Sequence, residues 1–205
     1  KFYTLFANGE LTSLNEAKIS DLKPANDFQA VVNSITEAQQ YLRSIAVEDI
    51  IAWLDAICIS WSDRDSEIQK MYSNHGLNFL IYWFRKKHLL EITDLALRGN
   101  RNFLDGFFQV DESGVKLSAQ PRGVVSHWIS GNVPMLGMLS LVQGIITKNA
   151  NLVKVSKENL YVVPTLLHSM GQVNIKTSTG RLLKGKEIVK SISCIYYEST
   201  NKTAL

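Results

Sequence analysis

The feature that most constrains this chain is an alternation that starts near residue 121. Three short apolar runs lie at 123–129, 150–156 ("ANLVKVS") and 191–199 ("SISCIYYES"). Between them stand longer stretches, 134–148 and 159–170, of helical length. A strand covered on one face alternates apolar and polar residues, whereas a strand covered on both faces reads as a nearly continuous apolar run. The short runs are of the second kind. The first long stretch opens with Pro134, where a helix can spare an N–H, and the second carries Pro164, which must sit in a first turn or kink the helix. Strand, helix, strand, helix, strand predicts an α/β fold, a parallel sheet of the doubly wound kind with helices on both faces.

The upstream half reads differently. "FYTLFANGELTSL" predicts two strands turning at Asn8-Gly9. Lys23-Pro24-Ala25-Asn26 reads as a loop, and Ser34-Ile35-Thr36-Glu37 has the spacing of a capping box that starts a helix. In "VEDIIAWLDAICISWSD" the residues Ile50, Trp53, Leu54, Ile57, Cys58 and Trp61 recur at helical spacing. Further helices are expected over 66–84 and 89–97, the latter stopped by Arg98-Gly99-Asn100. "FFQVDESGVKLSAQPRG" suggests a second hairpin. Residues 1–120 are therefore expected to form a region of helices and hairpins packed on an α/β unit at 121–205.

No apolar run approaches the roughly 18 residues that span a bilayer, and the first residues lack the apolar core of a signal peptide. Two distant cysteines make no disulfide framework, so a reducing, cytoplasmic setting is expected. The net charge of +3 is unevenly spread. From Lys148 to Lys190 there are eight Lys or Arg against Glu158 and Glu187. That excess is either a solvated face or a site for an anionic ligand. Nucleic acid is disfavoured, because the lysines are not interleaved with aromatics.

Cys58 on a helix face and Cys194 within a strand read as core residues. His75, His88, His127 and His168 show no metal spacing, and His127 is expected to be a hydrogen-bonded packing residue. "GRLLKGKE" follows no predicted strand and reads as a loop. In open α/β sheets ligands bind beyond the carboxyl ends of the strands. Two such ends carry polar groups: Ile129-Ser130-Gly131-Asn132, and Lys154-Val155-Ser156-Lys157. Asn132, between an apolar strand and an apolar helix, is either an oxyanion donor at a helix N-terminus or a simple helix cap.

The segment "PRGVVSHWISGNVPMLGMLSLVQGIITKNANLVKVSKENLYVVPTLL" resembles the cofactor-binding segment of the aldehyde dehydrogenase superfamily. The likeness rests on Pro121-Arg122-Gly123-Val124, Ile129-Ser130-Gly131-Asn132-Val133-Pro134, Asn149 and Lys154-Val155-Ser156. The "SGNVP" form is similar to the branch of fatty-acyl-CoA reductases of the bacterial luminescence type, and the first hairpin and the last strand look like that branch too. The resemblance implies an aldehyde-dehydrogenase-like fold, with 121–205 the first, incomplete part of a dinucleotide-binding domain. It implies that Asn132 is the side-chain oxyanion donor, that Ile129, Ser130 and Gly131 line the dinucleotide path, and that Lys154 and Ser156 approach the adenosine ribose. Many NAD-preferring relatives carry a glutamate after the serine of Lys-Pro-Ser; Lys157 stands there here and suits a 2′-phosphate, so NADPH is the expected cofactor.

The implied reaction is reduction of an acyl-CoA or acyl-thioester to a fatty aldehyde. The family's nucleophilic cysteine and general-base glutamate have no counterpart in these 205 residues. The chain is accordingly expected to be an N-terminal portion, inactive alone. Another superfamily enzyme and a non-catalytic dinucleotide-binding fragment are the rival readings. Residues 107–121 resemble the family's oligomerisation arm, which implies a homo-oligomer; an acyl-transferring enzyme is an expected partner.

Overall fold

A computed structural model of the chain describes residues 2–12, 24–25 and 27–198. Its main sheet runs in the order β2 (Glu10–Leu11), β1 (Phe2–Ala7), β10 (Ile192–Tyr196), β7 (Ala150–Lys154), β6 (Val124–Trp128), with β3 (Pro24–Ala25) also paired to β1. β6, β7 and β10 are parallel neighbours, as the apolar alternation predicts. β1 joins β10 antiparallel, so a strand from the N-terminal region completes the sheet. β7 and β10 are buried along almost their whole length. β6 is not: among the described residues it pairs only with β7, and Val124 and Trp128 are exposed.

Two helices connect the parallel strands. α6 (Pro134–Ile146) leads from β6 to β7, and α7 (Val162–Gln172) follows β7. Gly137 and Gly144 stand seven residues apart on one face of α6. A Cβ at Gly144 would sit 2.0 Å from Asn151 Oδ1, and one at Gly137 would sit 2.5 Å from Ile129 Cδ1. The helix backbone therefore rests directly on the strand side chains. Below it His127 is buried, with Nδ1 2.9 Å from Ser140 Oγ and Nε2 3.0 Å from Asn151 Oδ1, the packing role expected for it.

The Asn8-Gly9 turn forms as expected, with positive φ at both residues. Several other expectations need correction. The helix predicted to start at Ser34 is α1 (Phe28–Arg43), which begins six residues earlier; the Asp27 carboxylate accepts from the Ala30 N–H at 2.9 Å and caps it. The Ser34 hydroxyl donates instead to Asn8 Oδ1, and the Thr36 hydroxyl to the Val32 carbonyl. The single helix expected over 66–84 is divided into α3 (Glu67–Tyr72) and α4 (Leu77–Trp83) at Gly76, whose φ of +90° no helix admits. Pro24–Ala25, read as loop, adds to the sheet; Lys23 and Asn26 lie outside the described residues. "GRLLKGKE" is no loop either. It supplies β9 (Leu182–Lys184), which pairs with β8 (Asn174–Lys176), and then α8 (Gly185–Val189). Leu183, Ile188 and Val189 are buried, a pattern too short to register as a period.

The other N-terminal elements follow their periodicity. α2 (Val47–Ser62) buries Trp53 and Trp61 among its apolar stripe. Their indole N–H groups donate to the Val173 carbonyl and to Ser169 Oγ, each at 3.0 Å, so α2 is tied to α7. α5 (Lys86–Ala96) ends where Arg98 and Gly99 take positive φ. β4 (Phe108–Gln109) and β5 (Lys116–Leu117) form the expected short hairpin. Lys148 joins the two halves. It follows α6 with φ +58° and is only 4% exposed. Its Nζ lies 2.6 Å from Asp105, its carbonyl accepts from Gln39 of α1, and Asp105 also accepts from the Val47 N–H that opens α2.

Candidate functional site

The parallel strands of a doubly wound sheet end together, so the turns after β6 and β7 meet. Trp128 stands opposite Lys154 in register, and the Ile129 N–H donates to the Lys154 carbonyl at 2.9 Å. Beyond that bond the chains splay into two loops, 129–133 and 155–159. Asn159, 4% exposed, holds them together: its Nδ2 donates to both the Ser130 and Gly131 carbonyls at 2.9 Å. Gly131 is pressed against the second loop. A Cβ there would lie 2.9 Å from Glu158 Oε2 and 3.1 Å from Ser156 Oγ. Ser156 Oγ is buried and meets no partner at hydrogen-bond geometry, although the Glu158 carboxyl lies beside it.

Glu158 was not singled out by the sequence, and it changes the electrostatics. Its own backbone N–H, then the Ser156 hydroxyl, and more weakly Lys157 and Lys154, hold its carboxyl below the usual carboxylate range. Lys154 is half-buried and lies over two rings, 5.3 Å from the Tyr197 centroid and 6.0 Å from that of Trp128. The cation, at the end of β7, therefore rests between aromatic rings from the ends of the two strands beside it, β6 and β10. Lys157 is exposed. The basic excess of 148–190 is partly consumed elsewhere. Lys148, Lys186 and Lys190 pair with Asp105, Glu10 and Glu187, and Arg181 lies over Tyr41.

Asn132 is exposed at the end of the first loop, and among the described residues no hydrogen bond or ion pair engages its side chain. It is not the cap of α6. That position belongs to Val133, which offers no side-chain acceptor, and Pro134 takes the first helical place. Of the two readings of this amide, the helix cap is therefore removed. The residues expected to act together are brought together in part: Gly131 lies against Ser156, and Ser130 and Gly131 are tied to Asn159, while Ile129 packs under Gly137 of α6 and Lys154 turns towards Trp128 and Tyr197. Glu158, Asn159 and Gly137 were missed. A polar run, Ser156-Lys157-Glu158-Asn159, directly after a buried strand was the available signal.

Both cysteines are buried. Burial, with a smaller push from Asp55, drives the Cys58 thiol up to about 12, and burial alone pushes Cys194 strongly upward. Neither is a nucleophile in this setting.

Residues 42–205 match the family model of the LuxC acyl-CoA reductases. The chain belongs to the LuxC acyl-CoA reductase family. Among curated relatives, it is 24% identical to the long-chain acyl-protein thioester reductase of Aliivibrio fischeri, over 96% of this chain and 43% of that protein. The Vibrio harveyi protein of the same name is 25% identical over 80% of this chain and 35% of its own length. The chain thus spans less than half the length of these relatives. Its fold is that of the aldehyde dehydrogenases. A methylmalonate-semialdehyde dehydrogenase from Sinorhizobium meliloti 1021, complexed with NAD, superposes with a TM-score of 0.58 at 13% identity, covering 96% of this chain and 41% of that one. A lactaldehyde dehydrogenase gives a TM-score of 0.50, also at 13% identity, covering 95% of this chain and 42% of that one. Among the described residues no helix is long and apolar enough to cross a membrane.

Proposed function

We propose that this chain is the N-terminal portion of an acyl-thioester reductase that makes a fatty aldehyde, with Asn132 as the oxyanion donor. In the whole protein the acyl group is carried as a thioester on a cysteine outside these 205 residues. A reduced nicotinamide dinucleotide, when bound, supplies the hydride that displaces the thiolate and leaves the aldehyde. This chain's residues hold and orient. The loop 129–132 and the loop 155–159 form a narrow polar cradle, held by Asn159 and by the close approach of Ser156 and Glu158 to Gly131. The Ser156 hydroxyl, its oxygen buried beside the Glu158 carboxyl, suits a ribose hydroxyl, and Lys154 offers a fixed cation for an anionic ligand. NADPH remains the expected form, on the strength of Lys154 and exposed Lys157; Glu158 is the group that opposes a 2′-phosphate.

The observation that carries the reading is the condition of Asn132. An amide that does not cap the helix and that bonds to nothing among the described residues stands at the N-terminal end of a 13-residue helix, at the mouth of the cradle. Donors aimed where negative charge develops, with no reorganisation needed, are what acyl transfer and reduction require. In the full-length protein Asn132→Ala should lower turnover about 10²–10³-fold. Stability should change by no more than about 0.5 kcal/mol, because the side chain makes no bond to lose. Turnover that survives the substitution in protein of unchanged melting temperature defeats the proposed role.

A further inference from the structure

We infer that the cavity between α4, α5 and α6 is the binding site for the acyl chain of the substrate, a role that rests on the acyl-thioester reading above. The cavity has a volume of about 420 Å³. Its floor is formed by Leu89, Val142 and Ile146, all buried. Its rim carries Phe79, Trp83 and Ile92, which are 41%, 38% and 42% exposed. Gln143, Thr93 and Thr147 are the polar residues of the wall, and the Thr93 and Thr147 hydroxyls already donate to the Leu89 and Gln143 carbonyls. Nothing on this wall asks for a charged or hydrogen-bonding ligand.

Position and size both indicate an alkyl chain. α6 connects the cavity to the hinge. Val133 and Leu136, 48% and 52% exposed, begin an apolar stripe beside Asn132, and Leu139 and Ile146 carry it into the cavity. At about 1.5 Å per residue, Leu139 lies roughly 10 Å and Ile146 roughly 20 Å along the helix from Asn132. Helical side chains lean towards the N-terminus, so this stripe slopes to the hinge. A thioester held at Asn132 can thus send its tail along α6 into the cavity while its carrier stays outside. An apolar cavity of about 150 Å³ takes a benzene ring, roughly 25 Å³ per carbon. On that scale the cavity and the stripe leading to it accept a chain of a dozen carbons or more and leave a short chain loosely held.

The test uses the full-length protein, a series from hexanoyl-CoA to octadecanoyl-CoA, and a dansyl-labelled fatty acid as a direct binding probe. Catalytic efficiency should rise about fourfold for each methylene buried until the cavity is full, and then level off. Ala96→Trp, an exposed residue at the cavity wall, and Leu139→Trp each place an indole in the space. Each should weaken the labelled fatty acid about tenfold or more and flatten the chain-length profile at shorter chains. Hexanoyl-CoA should be spared. If thioesters are reduced but neither folded variant alters the profile or the probe's affinity, the cavity is not the acyl site and is covered by another part of the protein. If no thioester is reduced while Ala96→Trp still weakens the probe, the acyl site stands and the reductase reading falls.

Discussion

Replacing Asp105 by alanine should be far more damaging than replacing the lysine it pairs with. The Lys148 side chain is 5% exposed, and its ammonium lies 2.6 Å from the Asp105 carboxylate. Removing the carboxylate leaves a buried charge without a counter-ion, a change that costs about 3–5 kcal/mol. The same carboxylate accepts from the Val47 N–H at the start of α2, and losing such a helix-end acceptor costs about 1 kcal/mol more. The sum approaches the total stability of many domains, about 5–15 kcal/mol. Lys148→Met is a different case. The Asp105 side chain is 24% exposed, so it keeps water and keeps Val47, and the thioether refills most of the lysine's volume. That change should cost about 1–2 kcal/mol. The double variant should be more stable than Asp105→Ala alone, because the stranded charge is gone. Urea unfolding followed by the fluorescence of buried Trp53 and Trp61 measures all three. Equal costs for the two single variants, or a double variant no better than Asp105→Ala, would refute the assignment of asymmetric burial as the cause.

Cofactor choice should respond to the two neighbouring charges in opposite ways: in the full-length protein Lys157→Glu should weaken NADPH about ten- to a hundredfold more than NADH, at about 1.5–3 kcal/mol for a charge-assisted contact, and Glu158→Gln should strengthen NADPH selectively. Equal effects on both cofactors, measured by fluorescence titration, would remove these residues from 2′-phosphate recognition. His127 gives a pH prediction. Burial, only partly offset by the hydrogen bond that the ring donates to Asn151 Oδ1, lowers its pKa from 6.5, so the unfolded chain takes up a proton that the folded chain resists. Stability from this residue is complete above pH 6.5 and declines as pH falls below it. The melting temperature of wild type should therefore fall more steeply than that of His127→Gln between about pH 7 and pH 5.

What the sequence disclosed depended on the range of the physics involved. β7, β10, α6 and α2 were legible because burial over many residues writes a period or a continuous run. The hinge was legible because a proline, a glycine and an amide interrupt such runs abruptly. Gly76 was visible as a residue but not as a break, since the apolar spacing passes through it undisturbed and only its positive φ divides α3 from α4. Ser34 to Glu37 had the right cap chemistry in the wrong place: a capping box acts only where a helix has unpaired N–H groups, and Asp27 had already supplied the start. In the site, Glu158 was passed over beside Lys157, although its carboxyl lies against Gly131. The side that a residue faces in a short 3₁₀ turn is set by the turn, and spacing counted from a strand cannot give it. Lys148 looked like one more solvated lysine because its partner lies 43 positions upstream.

The pairing of β1 with β10 has a consequence in time. Ser193 donates its hydroxyl to the Phe6 carbonyl across 187 positions of sequence. At the usual rate of synthesis, about 5–20 residues per second, β1 waits roughly 10–40 s before the strand that completes it has been made. Phe2, Leu5 and Phe6, all buried in the finished sheet, spend that interval without their partner. Contacts of such separation also close slowly once the chain is whole. The interval before closure is when this protein is most open to capture by chaperones, to proteases and to mispairing with another nascent chain, and its length is set by the ribosome rather than by any residue in the site.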